Sequence, residues 1–243
     1  MNARLTLATA LRVLEQIRND RRTIAILLLV PCLLMGIVAW MFEGTPVIDR
    51  FGPLLLGIFP LFIMFLVTSV ATLRERQSGT LERLMTTPIR RGDFVLGYAI
   101  AFAALATVQA LVLTGFAVWV LGMDIRGQLW LVIVVAVLDA VLGTALGLAA
   151  SSLATTEFQA VQMMPVVILP QILTGGLLMP RDQMPMVLEW ISRAMPLTYG
   201  MESQQQLAAG AGLADVRGQI GAIVAFIVGA LVLGTLTLHR RTP

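Results

Sequence analysis

Residues 74–94 read RERQSGTLERLMTTPIRRGDF. Eight of these side chains are charged, and the stretch lies between two runs too apolar to be left facing water. A dense polar loop between such flanks is what a chain shows where it leaves a bilayer and turns back. The composition agrees. Of the 243 residues 58% are hydrophobic and 13% are charged, whereas a soluble domain carries about 25% charge. The chain therefore reads as an all-α integral membrane protein forming one transmembrane domain over residues 1–243.

Working outward from that loop gives six spans, at about 23–42, 51–73, 94–121, 129–148, 160–178 and 220–238. Twenty helical residues rise roughly 30 Å, the thickness of a hydrocarbon core. Residues 23–42 contain no charge, and the second run carries Pro53 and Pro60 as interruptions. Before the first span, Leu7, Leu11, Leu14 and Ile17 recur at helical spacing, with Arg4, Arg12, Glu15 and Arg18 mostly on other faces. Residues 4–18 are thus expected to form an amphipathic helix in the membrane interface. Between spans five and six, residues 179–218 form an external segment in which Met186, Val187, Trp190, Ile191 and Met195 predict a short amphipathic helix.

All seventeen basic residues are Arg. Arg4, Arg12, Arg18, Arg21, Arg22, Arg74, Arg76, Arg83, Arg90, Arg91, Arg240 and Arg241 fall on one side of the six-span layout. Arg50, Arg126, Arg181, Arg193 and Arg217 fall on the other. This asymmetry predicts that both termini and the 74–93 loop are cytoplasmic. It also explains the net charge of +3 without a nucleic-acid partner, because the arginines flank apolar spans rather than forming a basic face. The Arg-only usage points to a bacterial inner membrane. Cys32 is the single cysteine, so no disulfide forms within the chain.

Within the loop, Leu81, Leu84 and Met85 make one apolar face beside Glu82 and Arg83, and Pro88 ends the helix. A short helix of this kind at the membrane surface suits docking into a groove of a soluble partner. The run Glu75, Gly79, Thr80, Leu81, Glu82, Leu84, Pro88, placed after the second of six spans, resembles the permeases of ABC-2 type ATP-binding cassette exporters of the drug-resistance kind. The amphipathic N-terminal helix, the Pro-rich segment after span five and MPLTYGMES at 195–203 extend that resemblance over nearly the whole chain. It implies that Glu75, Gly79, Thr80, Leu81, Glu82, Arg83, Leu84 and Pro88 form a coupling helix seated on a separate ATPase. It further implies short external re-entrant helices and a complex of two permease subunits, self or paralogue, with two ATPase subunits. ATP and magnesium would belong to those partners, and no cofactor or metal is expected on this chain. The residues agree independently, since a P-loop requires a Lys and none is present.

Polar groups inside the spans are few. Asp139 lies near the middle of span four, where a carboxyl must be protonated, paired or facing water. Gly143 and Gly147 form GxxxG in the same span and fit either self-dimerisation or packing within one bundle. Gln162, Gln171 and Thr174 share span five with Pro165 and Pro170. Asp139, Gln162, Gln171 and Thr174 are the candidate translocation residues. The leading function is the membrane subunit of an exporter of amphiphilic cargo, such as a drug, lipid or lipid-linked product. The alternative is an ion-coupled secondary transporter using Asp139. An intramembrane hydrolase is disfavoured, because the only His is His239, beyond the last span, and no second deep acid accompanies Asp139.

Overall fold

The computed structural model describes residues 3–43, 45, 47–77, 91–179 and 181–237. Among them the regular structure is helical throughout, with no strand. Helix α1 (Ala3–Asn19) ends where Asp20 caps α2 (Arg21–Met41). Its carboxylate accepts from the Arg22 and Thr23 amides, two of the donors a helix start leaves without partners. Next come α3 (Val47–Gln77) and α4 (Arg91–Gly115), which closes in a π-helical turn over Phe116–Val120. After these come α5 (Leu129–Leu153) and α6 (Glu157–Thr174). Helix α7 (Met186–Arg193) realises the short helix expected in the external segment. Helices α8 (Pro196–Ala208) and α9 (Leu213–Thr237) complete the described chain.

Five helices are long and apolar enough to cross a membrane: Arg21–Met41, Val47–Glu75, Val95–Val120, Leu129–Leu153 and Leu213–Leu236. They correspond to expected spans one to four and six. The protein is a multi-pass membrane protein. The 160–178 run behaves differently. It forms an 18-residue helix, α6, which begins at Glu157 and stops at Thr174. Eighteen residues rise only about 27 Å, and α6 carries Glu157, Gln159, Gln162 and Gln171. The apolar run continues through Gly175 and Gly176 in the sequence, but Gly176 adopts φ +98° and breaks the helix. Two other boundaries also move. Helix α3 runs unbroken through Pro53 and Pro60, because neighbours in a bundle re-satisfy the freed carbonyls. Helix α9 starts at Leu213, so the last span takes in part of the segment assigned outside.

The core forms where α3 crosses α5. Leu54, Leu56, Leu61 and Phe65 interlock with Leu131, Val135 and Leu142, all essentially buried. The small residues of α5 make this crossing close. A Cβ at Gly143 would overlap the Leu61 carbonyl, and one at Gly147 would stand 2.6 Å from the Phe65 carbonyl oxygen. The GxxxG pair is therefore spent inside the subunit, against α3.

Helix α8 is the unexpected member of the core. It lies in the region read as external, yet Leu197, Thr198, Met201, Ser203, Gln204 and Leu207 are buried, and it packs against α3, α5 and α9. By contrast α2 and α9 leave wide apolar faces uncovered, including Leu29, Leu33, Val228 and Leu233. Helix α1 also has two sides. Ala10, Val13 and Ile17 are buried and the helix packs on α4, while Leu7 and Leu11 point outward. Of the apolar face expected at the lipid, Leu7 and Leu11 are thus free, while Ile17 and, in part, Leu14 turn into the packing with Ala10 and Val13.

Candidate functional site

At the arginine-rich end the chain enters and leaves segment 78–90 through Glu75 and Asp93. Both are buried, at 7% and 1% exposure, and both are bonded to α1. Arg12 Nη1 donates to Glu75 Oε1 at 2.6 Å, and Arg12 Nη2 donates to Tyr98 Oη at 3.2 Å. One turn and a half earlier, Thr6 Oγ1 donates to Asp93 Oδ1 at 3.4 Å. Close contact makes this possible, because Gly97 of α4 leaves no room for a side chain beside Thr6 and Thr9. Burial works against the Arg12 charge, but its bonds to Glu75 and Tyr98 outweigh burial and hold the guanidinium above its ordinary pKa.

The other side of the α3 terminus is fastened too. Arg74 Nε and Nη2 donate to the two Glu157 oxygens at 2.8 and 3.0 Å, a bidentate fork. Gln77 Nε2 donates to the Thr155 carbonyl at 2.8 Å. The hydrogen bond from Arg74 lowers the Glu157 pKa. Residues 74–77 thus join α1, α4 and the α5–α6 turn. Of the coupling residues inferred from the sequence, Glu75 is placed in this junction. Gly79, Thr80, Leu81, Glu82, Arg83, Leu84 and Pro88 lie outside the described residues.

The second candidate group surrounds α8. Asp139 is 0% exposed, and among the described residues neither carboxyl oxygen has a hydrogen-bond partner. Its carboxyl occupies the space a side chain would need at Gly200 of α8, and a Cβ at Gly57 of α3 would lie 3.2 Å from Asp139 Oδ2. An isolated charge in such a place is very costly. Gln171 is also buried against α8. Its Oε1 accepts the Leu197 amide at 3.1 Å, completing a donor at the helix start, while its Nε2 donates to the Val167 carbonyl. Thr174 donates to the Pro170 carbonyl at 2.7 Å, and Thr174 is nearly buried. Gln162 stands apart, on the exposed face of α6 with Val166, Leu169 and Leu173. So the structure brings Asp139 and Gln171 together through α8, gives Thr174 a local role in α6, and separates Gln162.

Gly57 and Gly200 were not singled out from the sequence, nor were Arg12 and Tyr98. Gly200 sits within the MPLTYGMES run, but nothing in that run couples it to Asp139. The fit makes a prediction. Gly200→Ala lowers the melting temperature of the detergent-purified protein, and adding Asp139→Ala recovers most of the loss, because the smaller residue vacates the space. Thermal unfolding followed by tryptophan fluorescence checks it; equal or greater loss in the double variant contradicts it.

The sequence profile of the ABC-2 type transporter family matches residues 4–207. The chain belongs to the ABC-2 type transporter family. The match takes in the helical core, both roots of segment 78–90 and most of α8. Individual relatives are distant. The chain is 26% identical over 178 residues to ABC transporter G family member 20 of Dictyostelium discoideum, covering 72% of this chain and 24% of that protein. It is 28% identical over 155 residues to the probable multidrug ABC transporter permease YbhR of Escherichia coli K12, covering 64% and 42%. It is 29% identical over 162 residues to nodulation protein J of Rhizobium leguminosarum bv. trifolii, covering 67% and 62%. In each case this ABC-2 family chain spans less than two thirds of the relative's length.

Proposed function

We propose that this chain is the membrane subunit of an ATP-driven exporter of amphiphilic cargo. One observation carries the reading: both roots of segment 78–90 are fastened to the same N-terminal helix, through Arg12–Glu75 and Thr6–Asp93. Force applied to the segment from outside therefore moves α1, α3 and α4 together. These 243 residues contain no Lys and so no P-loop, and in this reading the force comes from a separate ATPase. That subunit binds ATP and magnesium, seats the helix carrying Gly79, Thr80, Leu81, Glu82, Arg83, Leu84 and Pro88, and closes on nucleotide.

In this reading the complex holds two ATPase subunits and two permease subunits, the second being a copy of this chain or a paralogue. Helix α6 completes a six-span bundle, and α7 and α8 enter it from the outer side as re-entrant helices. The termini and the 74–93 loop face the cytoplasm of a bacterial inner membrane, as the arginine distribution supports. The exposed face of α6, with Gln162 among Val166, Leu169 and Leu173, is where cargo meets this chain. Asp139 and Gln171 set the position of α8, so a shift of α3 against α5 is felt at the outer end. The YbhR relative, named a probable multidrug ABC transporter permease, supports amphiphilic cargo. Ion coupling through Asp139 is the weaker reading, because its carboxyl is sealed between two glycines with no exposed atom.

Co-purification from native membranes in mild detergent tests the proposal. A P-loop ATPase is expected at one copy per permease, and Glu82→Arg is expected to lose it while leaving the permease intact. An intact permease with no ATPase, repeated in a lipid nanodisc, would end the exporter reading.

A further inference from the structure

At the end opposite the arginine-rich one, a pocket of about 410 Å³ lies between the start of α3, the α4–α5 loop and the end of α8. Small-ligand sites usually measure roughly 300–1,000 Å³. Its charged lining is Asp49, Arg50, Asp124 and Arg126, completed by Gln205. The pocket floor is fixed by the backbone. Asp124 N–H donates to Asp49 Oδ1 at 3.1 Å, and Arg126 N–H donates to the Ala208 carbonyl at 3.1 Å. Gly127 beside it has no space for a side chain against the Leu207 carbonyl.

An ion pair on this floor is long and solvent-exposed, so it holds its charges only weakly. Arg126 Nε and Asp124 Oδ2 are 3.6 Å apart, with both side chains mostly exposed. The Arg50 guanidinium lies over the Phe51 ring, 5.6 Å from its centroid. Two cations and two carboxylates around one small space disfavour a simple anion, which Asp49 and Asp124 would repel. They match a molecule carrying both signs.

The level of the pocket in the membrane comes from a separate observation. The chain has four tryptophans. Trp40, Trp119, Trp130 and Trp190 are exposed by 77, 80, 54 and 63%. The first three stand at helix ends that border this side, and Trp190 lies on α7, on the same side. Exposed Trp at span ends marks the boundary between hydrocarbon and headgroups. The pocket therefore opens at headgroup depth.

We propose that this pocket binds a phosphate ester bearing a primary ammonium group, the headgroup chemistry of a zwitterionic phospholipid. Arg50 and Arg126 hold the phosphate, and Asp49 and Asp124 accept from the ammonium. A quaternary ammonium lacks the hydrogens to donate, and an uncharged glycerol headgroup lacks the cation. The site depends only on the chain lying in a membrane and stands whether or not the exporter reading does.

The test is lipid retention measured by native mass spectrometry after exposure to equimolar phosphatidylethanolamine, phosphatidylglycerol and phosphatidylcholine. Charge-assisted hydrogen bonds of about 1.5–3 kcal/mol correspond to a preference of roughly tenfold or more for phosphatidylethanolamine. Asp124→Asn removes that preference, and Arg50→Gln with Arg126→Gln lowers the retention of all three lipids, in both cases without changing elution volume or helix content. A parallel arm adds soluble phosphorylethanolamine. If it displaces the lipid at similar concentration, the chemistry stands and the source is a soluble ester. No preference among the three lipids, a preference that survives Asp124→Asn, or unchanged retention in the double arginine variant overturns the proposal.

Discussion

Gly143→Leu is expected to remove the folded protein altogether. The substitution drives a branched side chain into the Leu61 carbonyl, at a point where the backbones of α3 and α5 touch. Overpacking of a core typically costs roughly 1–3 kcal/mol, because side chains and backbone shift to make room. Here the obstacle is main chain on a helix buried along most of its length, and neither helix yields cheaply. Leu61 and Phe65 next to the contact are both 0% exposed, so no solvent-facing gap absorbs the displacement. The variant should leave the membrane as aggregate, with no monodisperse peak in size-exclusion chromatography. Gly221→Leu on α9, where a side chain meets nothing within 4 Å, should elute as the unsubstituted protein does. Equal behaviour of the two variants would mean that the α3–α5 crossing is looser than described.

The second large effect is expected from charge reversal at the root of segment 78–90. Glu75→Arg places two guanidiniums together beside Tyr98, at a position only 7% exposed. Removing one partner of a buried ion pair costs roughly 3–5 kcal/mol. The 35% exposure of the Arg12 side chain brings the cost to the lower end of that range or below. The single variant should show a clear fall in melting temperature and lose the stimulation of the partner ATPase by cargo. Arg12→Glu combined with Glu75→Arg restores opposite charges across the same contact and should recover most of both. Recovery of stability without recovery of ATPase stimulation would assign the pair to structure alone. An unchanged single variant would remove Glu75 from the account of coupling.

The fold was legible wherever a single physical requirement governs a long run. Strongly apolar stretches of membrane length, one of them broken only by Asp139, gave the spans now seen as α2, α3, α4, α5 and α9, with boundaries displaced by a turn or more in places. Reading α6 failed at its edges, for reasons that are local. Thr156 accepts the Gln159 amide as a helix cap, a start signal of Thr followed three residues later by Gln. At the far end, apolar Leu177 and Leu178 were counted past a glycine that turns the chain. The burial of α8 was not legible because its buried face is made of Thr198, Ser203 and Gln204 as much as of Leu197 and Leu207, and a mixed face of this kind carries no apolar stripe.

The site was less legible than the fold. Arg12 and Glu75 are 63 positions apart in the chain, and each alone reads as a charge at a membrane surface. Asp139 was visible as a lone acid in an apolar span, but its partners are glycines, which leave no chemical trace of the fit. Glutamines show the same limit: Gln171 and Gln162 look alike in sequence, yet one completes the start of α8 and the other stands on an open helix face.

Site-specific cross-linking from residue 82 tests the central claim most directly. In a Cys32→Ser background, Glu82→Cys carries a photoactivatable benzophenone, and Met186→Cys at the opposite end serves as control. Membranes are illuminated with and without ATP, and adducts are identified by mass spectrometry. A P-loop ATPase is expected to be joined to position 82, with a yield that changes on ATP binding, and none to position 186. Absence of an ATPase adduct at 82, or equal adducts at both positions, would contradict that claim.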